Sequence, residues 1–243
     1  MSLKIAKATL IAFVAVSLAT SKSNAVVLGN YTFDGDTLAP SSVAPGVNFS
    51  DFSYNPDATP GTPNFFVHNP GSAYQADRWP VNTTENAPPP NPLGDYFAYT
   101  VAPQPGLQLS LTSITLDERR SATGIRNFEV RSSQDNFTSP LSAFTVPDDS
   151  LFRSNQTTTL GTSFNNLSSP VTFRVYGYNA EGSLGTWGVD NVRTLGEVSS
   201  AQAVPFEFSP GLGILALGAW GGVSQLNSIV RKRRVSKSKF FKS

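Results

Sequence analysis

The sequence predicts an all-β fold, a β-sandwich set between two terminal segments that read as membrane-targeting. Three observations carry this. Residues 26–203 are rich in Thr, Ser, Val, Phe and Tyr and lack a 3.6-residue apolar period. Strand-length runs there are separated by clusters of Gly, Pro, Asn and Asp, the punctuation of antiparallel β proteins. Each end of the chain, by contrast, has an uncharged apolar stretch flanked by Lys or Arg.

Residues 1–25 read as a signal peptide with a helical apolar core. Lys4 and Lys7 precede the apolar stretch Ala8–Ala19, and Ser23-Asn24-Ala25 supplies the small residues that place cleavage between Ala25 and Val26. That stretch is too short to span a bilayer comfortably.

The body, 26–203, is long enough to bury one substantial core. With no cysteine in the chain, it is not a disulfide scaffold. Predicted strands are Val26–Phe33, Asn64–His68, Asp95–Val101, Leu107–Leu116, Arg126–Ser132, Thr157–Phe164, Val171–Tyr178 and Thr186–Leu195. Leu107, Leu109 and Leu111 alternate, and Ile114 and Leu116 continue one step out of phase, which predicts a bulge near Thr112–Ser113. Val171, Phe173 and Val175 fall on one face of their strand; Thr172, Arg174 and Tyr176 fall on the other. The Pro-rich stretch Pro40–Pro92 reads as long loops around one or two short strands, the place where binding residues usually collect.

Val204-Pro205-Phe206-Glu207 opens the C-terminal segment. From Phe208 to Val230 there is no charged residue, and Arg231-Lys232-Arg233-Arg234 follows. As a helix, the uncharged stretch measures roughly 34 Å, enough for a hydrocarbon core of about 30 Å. It predicts a single transmembrane helix over 209–230 and a basic cytoplasmic tail, 231–243, that obeys the positive-inside bias. The net charge of +1 hides an asymmetry, because 26–203 holds eight Arg, no Lys and sixteen Asp or Glu, a net −8. An acidic body argues against nucleic acid as a partner.

The order Val204-Pro205-Phe206-Glu207, Gly-rich apolar helix and Arg/Lys cluster resembles the PEP-CTERM sorting signals, in the Pro-Phe-Glu variant of cyanobacterial type. The resemblance covers about 204–235 and implies an exosortase as partner, with a membrane anchor present before any processing of the tail. The stretches Leu116–Ser121, Phe128–Ser133, Phe173–Ala180 and Gly185–Val192 resemble a domain common in secreted PEP-CTERM proteins. That likeness implies a jelly roll of galactose-binding or carbohydrate-binding-module type, and no particular activity.

Catalysis finds little support in the residues. His68 is the only histidine, so a usual zinc site cannot be assembled; a serine triad could only be built on His68, and no Gly-X-Ser-X-Gly elbow supports one. No local pattern selects a carboxylate pair for glycoside hydrolysis. No cofactor is required. If the body is a jelly roll, its first and last strands lie side by side, and Asp34 and Asp190 near their ends could share a structural Ca²⁺; the same residues also suit turns and a bulge. For sugar binding, Trp79 is the best candidate, with Tyr74, Tyr96 and Tyr99 as further aromatics and Asp77 and Arg78 as hydrogen-bonding neighbours. Aromatic residues also build cores, and Trp187, alternating with Val189, belongs there. The sequence therefore points to an exported, membrane-anchored envelope protein that binds extracellular polysaccharide without catalysis. A self-associating matrix protein and a glycoside hydrolase are the alternatives.

Overall fold

The computed structural model describes residues 25–55, 61–67, 71–81 and 95–201. The signal peptide except Ala25, His68, the sorting motif, the transmembrane stretch 209–230 and Arg231, Lys232, Arg233 and Arg234 lie outside the described residues. Among the described residues no helix is long and apolar enough to cross a membrane.

Thirteen strands are described: β1 Val26–Tyr31, β2 Ser42–Val43, β3 Val47–Phe49, β4 Ser53–Asn55, β5 Asn64–Val67, β6 Ser72–Ala76, β7 Tyr96–Pro103, β8 Leu107–Arg120, β9 Asn127–Ser132, β10 Ser142–Thr145, β11 Arg153–Thr159, β12 Val171–Tyr178 and β13 Trp187–Ser200. One sheet has the order β11-β8-β13-β1-β2, with β6 also on β13 and β5 on β6. The other has the order β10-β9-β12-β7-β3, with β4 also on β7. From β7 to β9 the chain changes sheet at every strand, and it does so again from β10 to β13. The first strand lies beside the last, Val26 opposite Gly196 and Tyr31 opposite Val192. Both features are what a jelly roll requires.

Alternation explains the long strands. Leu109, Leu111, Ile114 and Leu116 of β8 are all buried. The phase change between them is a bulge. Leu195 of β13 faces Ser113 and Gly196 faces Leu111, which leaves Thr112 unopposed. Strand β8 runs past Leu116, where the sequence pattern stops it, because its next two core-facing positions are charged yet ion-paired. Glu118 pairs with Arg153 and accepts a hydrogen bond from Trp187 Nε1 at 3.1 Å. Arg120 pairs with Glu181. Apolar periodicity cannot register positions of this kind.

Two other readings are corrected. Pro40–Pro92 contains five short strands, β2 to β6, rather than long loops around one or two. They are two to five residues long, too short for a period-2 pattern to stand out among turn residues. The predicted strand Thr157–Phe164 is β11 followed by a 3₁₀ turn at Thr162–Phe164.

The two inner faces share one aromatic core. Trp79 stands edge-on to Trp187 and to Phe97, each with ring centroids 5.2 Å away. Phe52 meets Phe33, Tyr31 and Tyr99 at 5.1 to 6.0 Å. Edge and offset geometries suit the ring quadrupoles and add to the burial of large apolar area.

Candidate functional site

The outer face of the β10-β9-β12-β7 sheet carries the densest group of functional side chains. Pairing register brings them together. Tyr176 of β12 lies opposite Tyr96 of β7 and opposite Glu129 of β9. One row along, Arg174 lies opposite Ala98 and opposite Arg131. Thr100 and Thr172 form the next pair, their hydroxyls 2.8 Å apart. Residues directly opposite share a face, and Phe97, Tyr99, Phe173 and Val175 take the alternate, core positions.

Arg174 is clamped. Its guanidinium carbon lies 4.4 Å from the ring centre of Tyr96 and 3.8 Å from that of Phe137. Its Nη1 donates to Tyr176 Oη at 3.2 Å. Phe137 reaches this position from a left-handed backbone conformation, φ 59°. A bulky residue pays for that conformation, so the turn must be held from outside. Arg131 holds it, with Nη1 donating to the carbonyls of Phe137 and Thr138 at 2.9 and 3.0 Å. Arg131 is in turn neutralised by Glu129, both side chains being buried. Burial pushes the Glu129 carboxyl above the usual range, and the Arg131 guanidinium pulls it back. Glu129 Oε2 has no hydrogen-bond partner.

Beside this cluster runs an open groove of about 230 Å³, lined by Ser50, Ser53, Asn55, Tyr96, Thr100 and Arg174 among others. Its described lining offers hydroxyls, one amide, two tyrosines (Tyr96 and the buried Tyr99) and one cation, and no carboxylate.

The residues expected to bind sugar lie elsewhere. Trp79 is 1 % exposed and Tyr74 4 %. The indole Nε1 donates to Ala76 carbonyl at 2.8 Å, an internal bond. Tyr99 is also core, with its hydroxyl 3.0 Å from Thr194 Oγ1. The expectation of stacking by Trp79 and Tyr74 is thus corrected. Tyr74 alternates inward on β6, and Trp79 plugs the core beside Gly177, whose missing side chain makes room for the indole. Asp77 is partly buried and accepts a hydrogen bond from the Thr62 backbone N–H. Arg78 is exposed and joins neither the Tyr96 cluster nor its groove. Of the aromatics considered, only Tyr96 faces solvent at a groove. Arg174 and Tyr176 were on the correct face by alternation, but no local spacing links them to Tyr96 or Phe137.

Asp34 and Asp190 are within electrostatic reach of one another. Burial first, then the backbone of Asn191, Asp117 and Asp34, act on the Asp190 carboxyl, which is pushed up to about 6. Asp117 lies directly opposite Asp190 on β8. The Asp34 carboxylate accepts from Ser72 N–H at 3.2 Å. Among the described residues no group of three or more His, Cys, Asp or Glu has the arrangement to hold a metal ion.

No protein-family profile matches the chain, and no curated protein does. Solved structures similar to it include a cleaved adhesin domain of Lys-gingipain from Porphyromonas gingivalis, at 14% identity and TM-score 0.38, covering 71% of this chain and 99% of that one. A family 27 carbohydrate-binding module of Caldicellulosiruptor saccharolyticus in complex with mannohexaose is similar at 13% identity and TM-score 0.41, covering 71% and 97%. A family 11 carbohydrate-binding module of a Clostridium thermocellum cellulosomal cellulase is similar at 12% identity and TM-score 0.38, also covering 71% and 97%.

Proposed function

We propose that the protein is a non-catalytic, surface-attached module that binds extracellular polysaccharide on the outer face of its β10-β9-β12-β7 sheet. The observation that carries this reading is the row Phe137, Arg174, Tyr96 and Tyr176, braced by Arg131 and Glu129, beside a groove walled by hydroxyls. A sugar ring presents apolar C–H faces and equatorial hydroxyls. An aromatic face and a set of donors and acceptors on rigid strands match both at little entropic cost. The groove is small, which suits one or two sugar units of a longer chain lying across an open face. Hydrolysis of a glycoside needs two carboxyl groups flanking the bond, and the described lining supplies none.

The location in this proposal rests on the sequence alone: a signal peptide, the Val204–Glu207 sorting motif read by an exosortase, an apolar stretch for the membrane and a basic stop. The test of binding is retention of the full chain on immobilised polysaccharides. Tyr96→Ala is expected to lose at least tenfold in affinity for any polymer retained, with an unchanged melting temperature. Full retention by Tyr96→Ala would remove this face as the site.

A further inference from the structure

Within that glycan-binding reading, on which this inference depends, we infer that the groove selects a carboxylated sugar, a uronate unit, and that Arg174 is the residue that reads its charge.

The argument starts from charge pairing. Arg120, Arg126, Arg131 and Arg153 each form an ion pair with an Asp or Glu. Arg174 forms none among the described residues, nor do Arg78, Arg119 and Arg193, but of these Arg174 alone lines the groove. Arg131 lies directly opposite it across β9 and β12, but Glu129 already neutralises that charge. Glu129 is engaged by Arg131 through Oε1. The face therefore carries one uncompensated cation, in a body of net charge −8.

The geometry holds that cation ready. Two aromatic rings and the Tyr176 hydroxyl contact the guanidinium and restrict its movement. A guanidinium has five N–H donors; among the described residues Nη1 has an acceptor in Tyr176 Oη, and Nε is buried without one, so the fork open to a ligand is the terminal Nη1/Nη2 pair. A planar fork of this kind matches a carboxylate with two parallel bonds, and charge-assisted bonds exceed those to a neutral hydroxyl.

The acidic body does not cancel this preference. Charges more than about 8 Å away are largely screened at physiological ionic strength, so the cation on the groove wall competes chiefly with Asp51 and Asp95, the chain neighbours of Ser50 and Tyr96. The walls are suited to the rest of the ring. Thr100 and Thr172 offer a hydroxyl pair, and Asn55 Nδ2 donates to Ser53 Oγ at 3.0 Å, which leaves the Asn55 carbonyl free to accept.

The experiment compares binding of the full chain to polygalacturonate, to the same polymer fully methyl-esterified, to neutral mannan and to dextran sulfate. Wild type is expected to bind polygalacturonate at least tenfold tighter than its ester, with affinity falling as salt rises. Arg174→Gln is expected to bind the acid and the ester equally. Arg174→Lys, which keeps the charge without the fork, should retain part of the preference. Melting temperatures report whether each variant is folded. If the wild type binds acid and ester equally, or Arg174→Gln keeps the preference, the assignment fails while glycan binding can still stand through Tyr96→Ala. If dextran sulfate binds as tightly as polygalacturonate, the carboxylate assignment fails. If none of the polymers binds, both readings fall.

Discussion

Two aromatic clusters stand near each other in the chain and have opposite fates. Tyr74 and Trp79 lie inside, against Phe33, Phe97 and Trp187. Tyr96 begins β7 on the solvent face, against Tyr176 and Arg174. Composition does not separate them, since each has aromatic, charged and small neighbours. Strand parity separates Tyr96 from Tyr74. Phe97 next to Tyr96 takes the core position, so Tyr96 points out; Tyr74 takes the inward position on β6. Trp79 is inside for another reason, because Gly177 leaves a space the size of its ring. One cluster stabilises the fold; the other lies on the face proposed to bind.

This contrast can be broken most directly at Trp79. Trp79→Ala removes a buried indole, and a cost of about 3–5 kcal/mol is expected, partly from the cavity left behind. Thermal or urea unfolding of the full chain measures it. A loss under about 1 kcal/mol would mean that the indole is not part of the core. Tyr96→Ala, by contrast, should change stability little and act on binding.

A smaller effect is expected from Asp190 and from pH. Its carboxyl ordinarily titrates near 3.8 and is pushed up to about 6 in the fold. Between those values the native state holds a proton that the unfolded chain has lost. Stability from this group is therefore full below about pH 4, falls as pH rises to about 6, and stays low above, by on the order of 2–3 kcal/mol. Burial raises Glu118 and Glu129 as well, so they add slopes of the same sign. Asp190→Asn should remove its share of the fall and raise the melting temperature at pH 7.5 relative to wild type. The Ca²⁺ expected between Asp34 and Asp190 demands the reverse: millimolar calcium should raise the wild-type melting temperature at that pH and leave Asp190→Asn unmoved.

The finest test of why Trp79 lies inside is Gly177→Ala. A methyl group there would meet the Trp79 ring at 2.7 Å. Overpacking of this kind costs about 1–3 kcal/mol. The double variant Gly177→Ala, Trp79→Ala should recover part of that cost, because the ring that clashes is gone.

Much of this molecule was readable from local pattern. The β8 bulge showed as a phase shift between Leu111 and Ile114, and the two faces of β12 as alternation from Val171 to Tyr176. Residues spaced along one strand report their own parity, since successive side chains must point to opposite faces. Strands β2 to β6 were not readable, being too short to display a period. The ends Glu118 and Arg120 of β8 were hidden because a charge that is paired in the core looks in sequence like a charge in water.

By itself the sequence determined the all-β class, the acidic and cysteine-free body, the phase of its long strands and the absence of a histidine-based centre, because composition and period are properties of each segment alone. Only the tertiary structure decided that Tyr96, Arg174, Tyr176 and Phe137 form one surface and that Trp79 and Tyr74 do not belong to it. The side chains that clamp Arg174 come from β7, from β12 itself and from the turn after β9. Their proximity arises from pairing register across strands far apart in the chain, which no local spacing encodes.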